Sequence, residues 1–502
     1  MRNIFNTKKH IWLIAVSAIF IIISYTLILF FYNAISFDEA YNLQVPVNLA
    51  TNGQYASNGS QFDGTPKLFD PFISTGPTLL APIAFMFKFF GVGVWQYRII
   101  TFIIYIIFCI LTVLFVMKAT NNPRFTKIER FTFGVFAATL SIAFLNTSMV
   151  GSEFFFVIAQ GEALAIVFAL MSILLLQYKK IYWAAFAVGL AVLTKFLFLL
   201  LIPFFLLELY YVLKGKFQTK LKKMIIALLL VAVPSILFEF YRLYAFGFNL
   251  GSYKESLREF IHFFKIAGGD PTTVSAPLLI ILDRLRDLAK IDIFSIFILF
   301  ILTLLASIVI LVKLWQILQK PLKKELAKLN FIKYSNVPYL YIIGSVVLWM
   351  FWWLFISSTG WTRYAIPPMV LLIIASVTFI YMHDKRNKQL LLAVVILTLI
   401  SSIVIIFNNK LEDNLKSQQL ISSRINNEFG EKDLYHYGWW QNPEVQFLTS
   451  RNSISFKSQA DAPNAWLLLS NIHKRMAPED YNKLILSCNE IIELGYYRIC
   501  KV

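Results

Sequence analysis

Nine stretches of this chain, each about 20 residues long and poor in charge, decide what it can fold into, because a helix needs about 20 apolar residues to cross the roughly 30 Å hydrocarbon core of a bilayer. They are residues 11–32, 95–117, 131–149, 154–177, 222–240, 291–312, 338–357, 364–382 and 389–407. A further apolar stretch, 182–212, is too long for one ordinary span and carries Lys195 in its middle. Lys179 and Lys180 precede it, and Lys214, Lys216, Lys220, Lys222 and Lys223 follow it. If both basic flanks lie on one side, the chain must cross twice between them. The stretch then reads as a hairpin of two short helices with Lys195 near the far surface, and the spans number about 11.

Composition agrees, since 58% of the 502 residues are apolar and only 15% are charged. A soluble enzyme of this length needs far more polar surface. The first run follows a basic segment, MRNIFNTKKH. It is longer than the roughly 7–15 apolar residues of a signal peptide and ends in aromatics, so it reads as a retained first helix with a cytoplasmic amino terminus.

The net charge of +18 marks topology rather than nucleic acid. Residues 408–502 hold 11 Lys+Arg and 11 Asp+Glu, so the whole excess lies before them. It sits in the short segments KATNNPRFTKIER, QYKK, KGKFQTKLKK, KLWQILQKPLKKELAKLNFIKY and HDKRNK, which the positive-inside rule puts in the cytoplasm. The opposite side receives the first outer loop (33–94), the turn around Gly151, residues 241–289, STGWTRY at 358–364, and the tail.

This division predicts a membrane module, 1–407, and a small extracytoplasmic α/β domain, 408–502. The tail alternates strand-like DLYHYG, SISF, AWLLLS and EIIELGYYRICKV with the helical candidates NPEVQFLT and PEDYNKLILSC. Cys488 and Cys500 lie in it either as a disulfide or as two thiols; Cys109 falls in a membrane helix.

Ionisable groups at membrane depth cost several kcal/mol unless they serve a site or snorkel. On the outer side they are Asp38, Glu39, Asp63, Asp70, Lys88, Arg98, Glu153, Glu162, Lys195, Glu239, Arg242 and Arg363. Asp38 and Glu39, in ISFDEAYNLQV, point about 100° apart if that segment is helical, so they cannot address one atom. Either one acts while the other orients, with Tyr41 and Asn42 on the face of Asp38, or the pair caps the helix that begins there.

Glu153 and Glu162 flank EFFFVIAQGEALAIVFAL; Glu162 opens an apolar run one or two turns below the surface, and Glu153 suits a solvated loop. The stretch 71–98, with three Pro and three Gly, suits a helix lying on the outer surface, with Lys88 snorkelling and Arg98 opening the next span. Arg363 and Tyr364 close an outer loop rich in Trp. A guanidinium fork and an adjacent hydroxyl match phosphate oxygens, although an arginine there also serves as an interface anchor. The five His show no metal-ligand spacing, and no HExxH, Walker loop or GxGxxG occurs, which disfavours nucleotide-dependent chemistry.

FDEAY after the first span, a surface segment ending in KFFG before an Arg-headed span, GLAVLTKF, and RYAIPPMVLLIIAS together resemble the GT-C glycosyltransferases that use polyprenyl-phosphate sugars. Protein O-mannosyltransferases and lipid A aminoarabinose transferases belong to that superfamily. The resemblance covers most of residues 1–407 and implies a polytopic α-helical membrane enzyme of the GT-C type. It implies Asp38 as the base on an acceptor hydroxyl, Glu39 as a positioning group, and an acid before the fourth span, either Glu162 or Glu153. It further implies cations on the lipid phosphate, for which Lys195 and Arg363 come first, with Tyr364 beside them and Arg98 behind.

Aminoarabinose transferases carry a Lys beside the prolines of the surface segment where this chain reads STGPT, a departure from that subfamily. A divalent metal at the acidic cluster stays open. The expected partners are a polyprenyl-phosphate sugar donor, an extracytoplasmic acceptor (lipid, glycan or protein) and membrane lipids, without nucleic acid, in a bacterial plasma membrane. The chief alternative, a lipid-linked glycan transporter or flippase, would place polar groups near the bilayer midplane and use paired repeats. A ligand sensor would leave the membrane acids unexplained.

Overall fold

The computed structural model describes residues 34–58, 66–121, 125–147, 156–265, 338–357, 362–383, 411–429, 434–437, 442–450, 454–456 and 466–501, with Ala15, Ile19, Ile23 and Arg284 besides. The expected spans 291–312 and 389–407, nearly all of 11–32, and Glu153 lie outside the described residues.

Helix α1 (Phe37–Asn52) starts where Ser36 accepts the Glu39 N–H and Glu39 reaches back to the Ser36 N–H, a capping box, and ends at Gly53 in the left-handed conformation (φ 69°). The N-cap residue is therefore Ser36, with Glu39 of the acidic pair completing the cap. Asp38 and Glu39 fill the first turn, where carboxylates meet the positive end of the helix dipole. Tyr41 is reassigned. Its hydroxyl donates to Asp70 at 3.0 Å, and Asn42 bonds the Asp38 carbonyl rather than its side chain.

Helix α2 (Pro77–Phe90) has proline in its first turn and only 14 residues, so at 1.5 Å per residue it is too short to span. Phe85, Phe89 and Phe90 are exposed along it, as a surface-lying helix requires. Helix α3 (Val94–Ala119) leads to α4 (Lys127–Thr147). The expected run 154–177 is helical only from Glu162, as α5 (Glu162–Gln177), because Gly161 takes a left-handed turn (φ 85°) and residues 156–161 form a bend before it.

The long stretch 182–212 breaks where the lysine falls. Helix α6 (Ile181–Thr194) stops at Lys195, and a 3-10 turn (Phe196–Leu201) leads into α7 (Ile202–Val212). Helices α8 (Phe217–Ala245), α9 (Leu250–Lys265), α10 (Tyr339–Phe351) and α11 (Ile366–His383) complete the described helical core. Val94–Ala119, Phe217–Ala245 and Tyr339–Ile356 are long and apolar enough to cross a bilayer. Small residues let these helices touch: a Cβ at Gly189 of α6 would lie 2.3 Å from the Val231 carbonyl of α8.

Short strands β1 (Ala56–Ser57) and β2 (Lys67–Leu68) pair antiparallel after α1, and after α12 (Leu411–Arg424), which the sequence pattern does not mark, the chain builds a mixed sheet in the order β4-β3-β5-β7-β6. Its strands are β3 (Leu434–Tyr437), β4 (Ile454–Phe456), β5 (Trp466–Ser470), β6 (Glu490–Leu494) and β7 (Tyr497–Lys501). β3 runs parallel to β4 and β5, while β7 pairs antiparallel with β5 and β6. Helices α13 (Pro443–Thr449), α14 (Asn471–Met476) and α15 (Pro478–Leu486) connect them, and Cys488 and Cys500 form a disulfide.

Glu444 of α13 is 3% exposed, and burial pushes its carboxyl up to about 7 despite the Tyr497 hydroxyl that donates to it. The folded value lies above the ordinary 4.5, so the stability this group contributes is complete below pH 4.5 and is lost as pH rises through 7. The loss is on the order of 3 kcal/mol at full ionisation. Thermal unfolding followed between pH 5 and 8.5 should show the decline in wild type, and Glu444→Gln should flatten it.

Candidate active site

Three ion pairs gather the acids and cations singled out above. Arg363, just before α11, reaches the Asp38 carboxylate at 2.5 Å. Lys195, at the break after α6, meets Glu162 at the start of α5 at 2.9 Å. Arg98, in the first turns of α3, meets Glu39 at 3.3 Å. The first two pairs form one electrostatic cluster, because Lys195 feels both Arg363 and Asp38, and Arg363 feels Glu162.

Their exposure separates their uses. The Asp38 side chain is 47% exposed and that of Arg363 24%, so this pair can meet a ligand. Lys195 and Glu162 are buried, but the Lys195 ammonium also donates to Ser74 Oγ at 3.0 Å and to the Gln160 carbonyl. Tyr364 lies beside Arg363, its ring 5.6 Å from the guanidinium, and its carbonyl accepts the Trp349 indole N–H.

Glu39 and Arg98 are sealed. The Glu39 carboxylate also accepts the Ala159 N–H at 3.2 Å, and Arg98 donates to the Val157 carbonyl at 2.6 Å, which ties α1 and α3 to the bend before α5. Burial raises the Glu39 carboxyl above its ordinary range, against the pull of Arg98 and of the Ser36 and Ala159 N–H groups. The Arg98 side chain, 1% exposed, is engaged by Glu39 and the Val157 carbonyl.

Asp38, Glu39 and Glu162 each have a cation of their own, so the three carboxylates do not converge as ligands of one ion. Among the described residues no cluster of three His, Cys, Asp or Glu side chains has that form.

A cavity of about 170 Å³ adjoins the cluster, with Ser74, Thr75, Thr194, Glu239 and Arg242 contributing polar groups between aromatic rings. Arg242, 4% exposed, lies over the rings of Phe69 and Phe260 and donates to Glu239. The sequence flagged Arg242 only as one outer-side charge; Ser74 carried no signal beyond its proline-rich surroundings.

Gly76 lines this cavity and packs against the end of α6. Its N–H donates to the Thr194 carbonyl at 2.9 Å, and an added Cβ would lie 1.7 Å from the Leu193 carbonyl oxygen. Gly76→Ala must push α2 away from the end of α6, at a cost of about 1–3 kcal/mol. A lowered thermal transition in purified protein checks it.

No family model matches the sequence, and no curated protein does. The crystal structure of ArnT from Cupriavidus metallidurans in the apo state superimposes with a TM-score of 0.57 over 97% of both chains, at 12% sequence identity. The chain has the ArnT fold. A second ArnT structure, bound to undecaprenyl phosphate, matches with a TM-score of 0.53 at 12% identity, over 96% of this chain and 97% of that one. That fold agrees with the helical GT-C type that the short sequence motifs implied, and three of the described helices are long and apolar enough to cross a membrane.

Proposed function

We propose that this ArnT-fold protein is an integral membrane glycosyltransferase that moves a monosaccharide from a polyprenyl-phosphate donor to an acceptor hydroxyl on the outer side of a bacterial plasma membrane, with inversion. The observation that carries this reading is the half-exposed Asp38–Arg363 pair set beside the buried Glu162–Lys195 pair, which supplies a base and two cations at one place. Undecaprenyl phosphate in an ArnT structure of the same fold supports a lipid phosphate as the partner.

In this mechanism the acceptor oxygen attacks the anomeric carbon in line. The new glycosidic bond forms as the bond from that carbon to the phosphate oxygen breaks. Asp38 takes the hydroxyl proton, and the polyprenyl phosphate leaves with its electron pair, its charge balanced by Arg363 and Lys195. A donor phosphate that takes over Arg363 releases Asp38 for the acceptor. Glu162 keeps Lys195 charged and aimed, Tyr364 flanks Arg363, and Glu39 with Arg98 holds the first turn of α1 in place. The aromatic walls and the Glu239–Arg242 pair of the adjoining cavity offer stacking and hydrogen bonds to a sugar.

The lysine missing from STGPT has a counterpart in space. The ammonium of Lys195 arrives at Ser74 of that same segment from another element, so a cation stands there without being encoded there. All four groups also lie at helix ends, where an interfacial reaction needs them, rather than along the middle of a helix as a carrier pathway would.

The test is transfer in vitro with purified protein and a panel of polyprenyl-phosphate sugars. Sugar appearing on an acceptor supports the reading. No transfer from any donor, with lipid flipping measurable in vesicles, overturns it in favour of a transporter.

A further inference from the structure

One contact outside the ion pairs ties the C-terminal region to the start of the acidic helix. Gln418 of α12, 5% exposed, meets Ile35 with both ends of its amide: the Ile35 N–H donates to Oε1 at 3.0 Å, and Nε2 donates to the Ile35 carbonyl at 2.7 Å. Ile35 immediately precedes Ser36, the N-cap of α1, and stands three residues before Asp38. The two-pronged contact copies the pairing of neighbouring strands, so the peptide can neither slide nor turn without leaving buried polar groups unpaired.

The amide is itself located. Its Nε2 lies 3.5 Å from the Tyr497 hydroxyl, which donates to Glu444 at 3.0 Å, and all three side chains are buried. Glu444 opens α13, whose Phe447 ring sits 6.0 Å from the rings of both Phe87 and Tyr97. Tyr97 neighbours Arg98, the cation on Glu39. The C-terminal region thus grips the first turn of α1 from two directions, through Gln418 at its peptide and through Phe447 behind the Glu39–Arg98 pair.

We propose that Gln418 is a positioning residue for the transfer reaction: by clamping the Ile35 peptide it fixes the first turn of α1, and with it the place where Asp38 presents its carboxylate. This rests on the glycosyltransferase reading. The Asp38 carboxylate rises from the first turn of α1 to meet Arg363, so a shift of that turn displaces the carboxylate from its partner. A displacement of about 1 Å at a reacting group can cost on the order of 10²-fold in rate.

The experiment uses the full chain in nanodiscs, as wild type, Gln418→Met, which keeps the volume without the amide, and Gln418→Glu, which keeps an acceptor for the Ile35 N–H and loses the donor. Hydrogen exchange should quicken at least tenfold in peptides covering 34–41, and less in Gln418→Glu than in Gln418→Met, with peptides from 466–501 unchanged. Sugar transfer should lose about 10–100-fold in kcat with the donor KM within twofold. Unchanged exchange at 34–41 overturns the clamp, and quickened exchange with unaltered kcat overturns the positioning role. A loss of protection across 466–501 in both variants assigns Gln418 to folding and also overturns it. If exchange quickens as expected while even the wild type transfers no sugar from any donor, the glycosyltransferase reading fails rather than the clamp.

Discussion

If the proposed transfer reaction holds, Asp38→Asn should lower its rate by about 10²–10⁴-fold, the range that loss of a positioned general base produces. Asparagine keeps the size of the side chain and an oxygen for the Arg363 guanidinium, so the geometry of the cluster survives and only the proton acceptor is removed. The Asp38–Arg363 pair is partly exposed, with side chains 47% and 24% accessible, and such pairs contribute about 1 kcal/mol or less to stability. The thermal transition of the variant should therefore stay close to that of wild type while kcat collapses and the donor KM moves little. Initial rates with a saturating polyprenyl-phosphate sugar, measured beside a melting curve, separate the two quantities. Activity within tenfold of wild type would remove Asp38 as the base and return it to the role of a charge at a helix start.

The second large effect is on stability. Arg98→Met leaves the Glu39 carboxylate, 0% exposed, without its cation, at a cost of about 3–5 kcal/mol. The charge does not simply move into solvent, because the Ala159 N–H, the Ser36 N–H and the helix dipole hold the carboxylate where it is. Pairing the change with Glu39→Gln removes the stranded charge, and the double variant should recover much of the loss. Thermal unfolding of the two single variants and the double variant in one detergent gives the coupling directly; additive losses would show that the pair does not act as a unit.

Much of the membrane architecture is legible in the sequence because lipid imposes a simple rule on every residue that meets it. The break in the apolar stretch 182–212 falls at Lys195 as expected, whereas 154–177 is helical only from Glu162, and the tail strands at 434–437, 454–456, 466–470, 490–494 and 497–501 lie inside the segments that alternation and turn residues marked. The cap on Ser36 is also legible, as a serine three residues before a glutamate. What fails to appear in the sequence is partnership. Asp38 and Arg363 are 325 positions apart and Gln418 and Ile35 are 383 apart, distances that no helical or strand periodicity spans.

By itself, then, the sequence determined the elements that carry the acids and their chemical types, since hydropathy and charge act on each residue independently of its distant neighbours. Only the tertiary structure decided which acid meets which cation. It buried Glu39 with Arg98 and left Asp38 half open with Arg363, although the two carboxylates are adjacent in the chain, because a turn of about 100° between neighbours in α1 sends one inward and one outward.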